Sequence, residues 1–247
     1  MYVKKIIVDP SDFPREDVYP FNVSVFQNPL EIELTQRISI FVGENGSGKS
    51  TLLEAVARKC GIYIWQGEIR ERYNKSPYEK MLHRYVRIEL ADHRGTNNRQ
   101  TGHREIVGSF FASEIFKNFS QILDEWAASD PGILDFFGSK SLMNQSHGQG
   151  HLSFFRSRFS RGGLFLLDEP ENALSPNSQI ELLRILEEAG NDDSSQFIIA
   201  THSPIILACP GAQLLNFDGT TVEETTYEET DHFKLYRDFL NDRERFF

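Results

Sequence analysis

Apolar residues fall along this chain in two rhythms, one of two residues and one of three to four. Val3 to Val8 is a short β-branched run closed by Asp9-Pro10, Glu31 to Leu34 alternates charged and apolar residues, and Ile38 to Val42 is apolar almost throughout, as in a buried strand. From Lys49 to Lys59 the rhythm changes. Leu52, Leu53, Val56 and Ala57 recur at helical spacing, and Gly61 supplies a C-terminal stop. Tyr85 to Leu90 alternates like a strand, Ala91 to Gly102 is rich in Gly, Asn, Asp and Thr and reads as a loop, and Ile106 to Phe111 reads as a strand. Glu114 to Ala128 puts Ile115, Phe119, Ile122, Leu123 and Trp126 on one helical face. Ser146 to Arg158 then reads as a loop running into a helix, Leu164 to Leu167 as a second fully apolar strand and Gln179 to Ala189 as an amphipathic helix. Phe197 to Ala200 is a third apolar strand, and a helix from about Asp231 to Leu240 closes the chain.

Strands that alternate with helices and are apolar on both faces predict an α/β domain with a mostly parallel sheet sandwiched by helices. The less regular middle predicts a subdomain inserted into that topology. Neither an internal repeat nor a heptad run of coiled-coil length is present.

Three strand ends carry candidate chemistry. Directly after Ile38 to Val42 comes Gly43-Glu44-Asn45-Gly46-Ser47-Gly48-Lys49-Ser50-Thr51, which fits the phosphate-loop pattern GxxxxGK[ST] at every fixed position. Its glycines permit a tight turn in which successive N–H groups point at phosphate oxygens, and the helix beginning near Lys49 adds its positive end. In such a loop Lys49 reaches the β- and γ-phosphates and the Ser50 hydroxyl ligates Mg2+. The second strand, Leu164 to Leu167, ends in Asp168-Glu169-Pro170. Beside a phosphate loop, Asp168 can hold Mg2+ and Glu169 can orient and polarise an attacking water, although two acids before a proline also suit a plain solvated turn. The third strand ends in Thr201-His202-Ser203-Pro204, where His202 can hydrogen-bond a γ-phosphate or serve merely as a loop residue.

Composition narrows the picture. Across 247 residues the formal net charge is −10, with 39% hydrophobic and 25% charged residues, the balance of an ordinary soluble protein that does not coat nucleic acid indiscriminately. No apolar run approaches the roughly 18 residues that cross a bilayer, and Met1 to Pro10 lacks the long apolar stretch and cleavage site of a signal peptide. The two cysteines, Cys60 and Cys209, show neither metal-ligand spacing nor a disulfide framework, which favours the cytoplasm. Charge is uneven: Arg70 to Arg104 holds nine basic residues against four acidic ones, and Asp218 to Asp231 holds six acids with no Lys or Arg. The basic stretch could steer nucleic acid or an acidic partner, but a solvated subdomain surface is the commoner cause of such a run.

Taken together the three motifs resemble those of ATPases of the ATP-binding-cassette (ABC) class. They are most similar to its soluble branch, which includes the overcoming-lysogenisation-defect nucleases, the recombination-repair ATPases and small bacterial AAA-type ATPases. That branch often runs D-E-P-E-x-x-L-x-P, which Asp168 to Pro176 match throughout. The resemblance implies a phosphate-loop NTPase fold of ABC type, with an N-terminal antiparallel β portion. It also implies one domain over 1–247, a nucleotide-binding core from 1–62 and 160–247, and an inserted subdomain over about 63–159. ATP and Mg2+ are the implied cofactors, Glu169, His202 and Lys49 the implied catalytic groups, and Ser50 and Asp168 the implied metal ligands. The class signature loop is matched best by Gln145-Ser146-His147-Gly148-Gln149-Gly150. Ser146, Gly148 and Gln149 agree with it, whereas His147 replaces a glycine and Gln145 a leucine; a polar turn with a serine cap would look the same. In the family each signature loop faces the nucleotide of the other subunit, so the resemblance implies an ATP-dependent, head-to-tail homodimer.

Other family elements map less cleanly. The glutamine-loop position is open among Gln66, Gln100 and a substituting Glu114, and the adenine-stacking aromatic among Tyr19, Phe21 and Phe26. Ser175 takes the place of an aspartate found in transporters. The reading implied is a stand-alone cytoplasmic ATPase with an unidentified protein or nucleic-acid client, in a DNA-related or defence-related setting. Two alternatives stay open, the nucleotide-binding subunit of a membrane transporter and an ATP-switched binding module with negligible turnover.

Overall fold

Strands that are apolar on both faces line up side by side at the centre of the molecule, as their composition requires. The computed structural model describes residues 1–65, 76–91, 96–97, 104–130, 132, 134–135, 147–191 and 193–247. In chain order the elements are β1 (Val3–Val8), β2 (Leu30–Glu33), β3 (Ile38–Val42), α1 (Lys49–Lys59), β4 (Val86–Leu90), β5 (Thr96–Asn97), β6 (Arg104–Glu105) and β7 (Gly108–Ala112). They continue with α2 (Ser113–Ala127), α3 (His147–Phe159), β8 (Gly163–Asp168), α4 (Pro176–Gly190), β9 (Ser195–Ala200), α5 (Pro204–Leu207), β10 (Gln213–Asn216), β11 (Glu223–Thr225) and α6 (Asp231–Asn241). Six strands form the main sheet in the order β11-β10-β3-β9-β8-β7, parallel except for β11 at the edge. A separate antiparallel sheet has the order β2-β1-β4.

Alternation within each central strand divides the core. Phe41, Leu164, Leu166, Ile198 and Ala200 face one way and pack with α1 and the antiparallel sheet. Ile38, Ile40, Val42, Phe165, Leu167, Phe197 and Ile199 face the other way, towards α2, α3 and α4. That second layer is aromatic: Phe159 meets Phe165 and Phe197 at centroid separations of 4.8 Å each, and Phe111 meets Phe155 at 4.7 Å. Such contacts add about 0.5–1.5 kcal/mol per pair beyond burial.

The antiparallel sheet is fastened to the main one by two buried side chains. Gln196 of β9 accepts from the Tyr2 and Val3 N–H groups at 2.6 and 2.8 Å and donates to the Val3 carbonyl at 2.8 Å. Gln213 of β10 accepts from the Thr35 N–H and donates to the Glu33 carbonyl, both at 3.1 Å.

Four elements depart from expectation. Helix α4 begins at Pro176, before the expected Gln179, because the Ser175 hydroxyl caps it by accepting from the Ser178 N–H and proline is favoured in the first turn. β10 has only Leu214 and Leu215 as apolar signal, too short for a period to show. Thr96–Asn97, within the stretch from Ala91 to Gly102 that reads as loop, pairs as β5 with Arg104–Glu105 as β6.

Candidate functional site

Register decides which residues leave the main sheet side by side. Ala200 lies opposite both Phe41 and Asp168, Val42 lies opposite Asn216, and Ala112 lies opposite Asp168. The next residues along each chain, from Gly43, Glu169, Thr201, Phe217 and Ser113, therefore emerge in a row beyond the strands' C-terminal ends. In open α/β sheets ligands bind outside that edge.

The phosphate loop turns from β3 into α1 with φ values of 150° at Gly43, 82° at Gly46 and 101° at Gly48, all in the region that side chains other than glycine avoid. Glu44, Asn45 and Gly46 are exposed at its tip. Lys49 is 4% exposed, and its Nζ donates to the carbonyls of Gly43 (2.6 Å) and Glu44 (2.8 Å) and to Ser47 Oγ (3.3 Å). Burial pushes its pKa below the usual lysine value, against the opposing pull of Asp218, Glu169, Asp168 and Glu44. Ser50 Oγ donates to Asp168 Oδ1 at 2.7 Å, and Thr51 Oγ1 lies 3.0 Å from the Tyr19 hydroxyl.

Asp168 and Glu169 are neighbours in sequence but sit in different surroundings. Burial raises the Asp168 carboxyl to about 7, with Glu169 and Glu171 adding to the rise and the Ser50 hydrogen bond and Lys49 opposing it. Glu169 is half-buried and sits at φ 45°, a strained backbone for a residue with a β-carbon, at a cost of about 1–3 kcal/mol. It is held there on all sides: its N–H donates to the Ala200 carbonyl (2.8 Å), its carbonyl accepts from Ser113 Oγ (2.8 Å), and Oε2 accepts from Asn172 Nδ2 (2.5 Å). Glu169 Oε1 remains 3.8 Å from His202 Nε2. The His202 N–H donates to Glu171 Oε1 at 2.8 Å, and its Nδ1 lies 3.2 Å from His232 Nε2. Burial first, then Lys49, lowers the His202 pKa, which favours the neutral ring.

The structure thus gathers Gly43 to Thr51, Asp168, Glu169 and His202 at one edge. Gln145 and Ser146 lie outside the described residues, as do Gln66 and Gln100. His147 opens α3, Gly148 follows, and a β-carbon on Gly148 would stand 3.3 Å from the Ala173 carbonyl oxygen, on the turn leading into α4. Gln149 is exposed. Glu114 lies in the first turn of α2. Of the aromatic candidates, Phe21 and Phe26 are fully buried and belong to the core, whereas Tyr19 is 45% exposed beside Thr51.

Four residues of this edge are not singled out by sequence reasoning. Glu171 lies inside the D-E-P-E run, so a signal for it was present, whereas Asn172 follows at a position that the pattern leaves open. Asp218, whose Oδ1 accepts from the Glu44 N–H at 2.5 Å, and His232 arrive from β10 and α6 with no local pattern to mark them.

A buried strand, a phosphate loop opening a helix, and acidic and histidine ends on the adjoining strands define a phosphate-loop NTPase of ABC type. Residues 68–208 match the family described as "AAA domain, putative AbiEii toxin, Type IV TA system", and residues 21–109 match a second AAA-domain family. The chain belongs to the AAA-type ATPases of the ABC class, and as such binds and hydrolyses ATP. Among curated relatives it is 30% identical over 186 residues to the thiamine import ATP-binding protein ThiQ of Histophilus somni, covering 74% of this chain and 83% of that one. It is also 30% identical over 181 residues to the energy-coupling factor transporter ATP-binding protein EcfA1 of Thermotoga maritima, covering 68% and 63%. Its fold superposes with a TM-score of 0.51 and 16% identity on a chain described as "An inward-facing conformation of a putative metal-chelate type ABC transporter", covering 94% and 87%. No helix among the described residues is long and apolar enough to cross a membrane.

Proposed function

We propose that this protein is a stand-alone cytoplasmic ATPase in which two copies close head to tail over Mg2+-ATP and open after hydrolysis, acting on a protein or nucleic-acid client. The observation that carries the reading is the 2.7 Å hydrogen bond between Ser50 and Asp168, which joins the phosphate loop to the acidic strand end. Mg2+ fits this pair. A carboxyl raised to about 7 by burial is a group that a cation would return to its charged form. Mg2+ also takes few protein ligands, relying on phosphates and water, which agrees with the lack of any cluster of three metal-binding side chains among the described residues. Bound there, the ion would draw charge from the β- and γ-phosphates.

The chain's own groups divide the remaining work. The N–H groups from Gly46 to Ser50 and the start of α1 cradle the phosphates, and Lys49 exchanges the carbonyls of Gly43 and Glu44 for phosphate oxygens. Glu169 takes Asn172 on Oε2, so Oε1 is the oxygen that orients the attacking water and receives its proton. His202 donates to the γ-phosphate. Ser146, Gly148 and Gln149 complete the site of the other copy.

Transport is the second reading, favoured by the names of ThiQ and EcfA1. The D-E-P-E run and the altered signature support the stand-alone enzyme, as does Ser175, whose hydroxyl caps α4. Co-purification with a membrane subunit from the native cell would favour transport.

The test is a mixing experiment. Lys49→Ala should lose nucleotide binding, and Ser146→Arg should bind ATP without hydrolysing it or dimerising. Mixed, they can assemble one complete site from the intact loop of one and the intact signature of the other, so hydrolysis should return. Glu169→Gln should bind ATP, lose about a hundredfold or more of its turnover, and elute as a dimer. Demonstrated heterodimers without recovered hydrolysis would overturn the composite site.

A further inference from the structure

We infer that His232, in the first turn of α6, is a positioning residue that fixes the single proton of the neutral His202 ring on Nε2, so that His202 meets the nucleotide as a hydrogen-bond donor. The inference rests on the role proposed above for His202. Nothing in the phosphate-loop, D-E-P-E or strand-end motifs includes His232; its place comes from the fold alone.

Two rings sharing one hydrogen can do so in two ways. His202 Nδ1 and His232 Nε2 are 3.2 Å apart, with ring centroids 5.4 Å apart and planes at 48°. Either His202 donates through Nδ1, or His232 donates through Nε2. A neutral imidazole has one donor nitrogen and one acceptor nitrogen, so the choice at this contact fixes both remaining nitrogens. If His202 donated, His232 would carry its own hydrogen on Nδ1. That atom is buried and has no hydrogen-bond partner among the described residues. A buried N–H left without an acceptor is the rarer kind of orphan in folded proteins, rarer than an acceptor left unused. The contact therefore favours His232 as donor and His202 Nδ1 as acceptor.

The opposite side of His202 selects the same form independently. Its Nε2 faces Glu169 Oε1 at 3.8 Å. A hydrogen on Nε2 points at the carboxylate and is attracted to it, whereas a lone pair there would be repelled. Both neighbours thus place the hydrogen on Nε2, the atom turned towards the catalytic glutamate.

Helix capping holds His232 in place. Thr230 Oγ1 accepts from the Phe233 N–H at 3.3 Å and donates to the Tyr227 carbonyl at 2.7 Å, and Glu229 reaches back to Thr226 as a capping box. The first turn of α6 is thereby fixed, and with it the donor that sets His202.

Long-range nitrogen–proton NMR of the full chain reads the tautomer directly, with His202→Ala assigning the ring. In the wild type His202 should appear as the Nε2–H form; an Nδ1–H form would overturn the inference. His232→Phe keeps a ring and removes the donor, and should admit the Nδ1–H form and lower kcat roughly tenfold with KM for ATP changed less than about twofold. His232→Gln offers an amide donor where Nε2 stood and should restore both the tautomer and kcat. Wild-type tautomer and kcat in His232→Phe would overturn the inference, as would a failure of Gln to rescue when it melts at the wild-type temperature. His202→Ala separates the two claims. Undiminished hydrolysis there overturns the phosphate contact of His202 and the inference with it. Hydrolysis lost there but unaffected in His232→Phe overturns the role of His232 alone.

Discussion

Asp168 is the residue whose burial and charge are most at odds. Its folded pKa of about 7 stands above the ordinary carboxyl value of 3.8, so in the absence of a cation the native state binds a proton more tightly than the unfolded chain does. Its contribution to stability is then fully present below the unfolded pKa and is lost as pH rises through about 7. Thermal melting of nucleotide-free, Mg2+-free protein should show a midpoint that falls between about pH 4 and about pH 7, and Asp168→Asn should flatten that fall. A slope unchanged in the variant would assign the effect to another group. At this scale the site was legible where chemistry is contiguous in sequence: Gly43 to Thr51 and Asp168 to Pro176 are motifs because each side chain serves a neighbour. Asn172 holds Glu169, Glu171 holds the His202 backbone, and Ser175 caps α4. Asp218 and His232 were not legible, because what brings them to the edge is the pairing of β10 with β3 and the cap of α6, neither of which leaves a local pattern.

Among the elements, β7 packs on β8 with no room for a side chain at Gly108. A β-carbon there would run into the Leu164 carbonyl oxygen and stand 2.8 Å from Ile62 Cδ1, so backbone as well as side chain would have to move. Gly108→Ala should destabilise the protein by about 2 kcal/mol or more in urea unfolding. Gly61→Ala, at φ +72° with nothing near the added methyl, should cost only about 1–2 kcal/mol for its left-handed backbone. Equal losses at the two positions would contradict the packing of β7 on β8. The central strands were legible because burial on both faces makes an unbroken apolar run, and the longer helices because burial on one face imposes a period. β10 and β11, of four and three residues, are shorter than any period that could announce them. Their pairing partners are fixed by tertiary structure, so the sheet's far edge was hidden although its centre was plain.

Across the whole molecule, the catalytic edge and the attachment of the antiparallel sheet lie at opposite ends of the same strands. Gln196 is the second residue of β9 and Gln213 the first of β10, whereas Thr201 and Phe217 leave those strands at the site. At about 3.3 Å per residue, Gln196 stands some 13 Å back from the edge where nucleotide would sit. Each glutamine presents an amide carbonyl and an amide N–H to backbone groups, which makes it a counterfeit peptide unit in a place no strand occupies. Isotope exchange should register the substitution. The amide hydrogens of Tyr2 and Val3 should give way to deuterium only as slowly as the interior of β1, because their acceptor is a buried side chain. Gln196→Ala should release those two and leave the amides deeper in β1 slow, turning one side chain into a clasp that can be opened without touching the strand it holds.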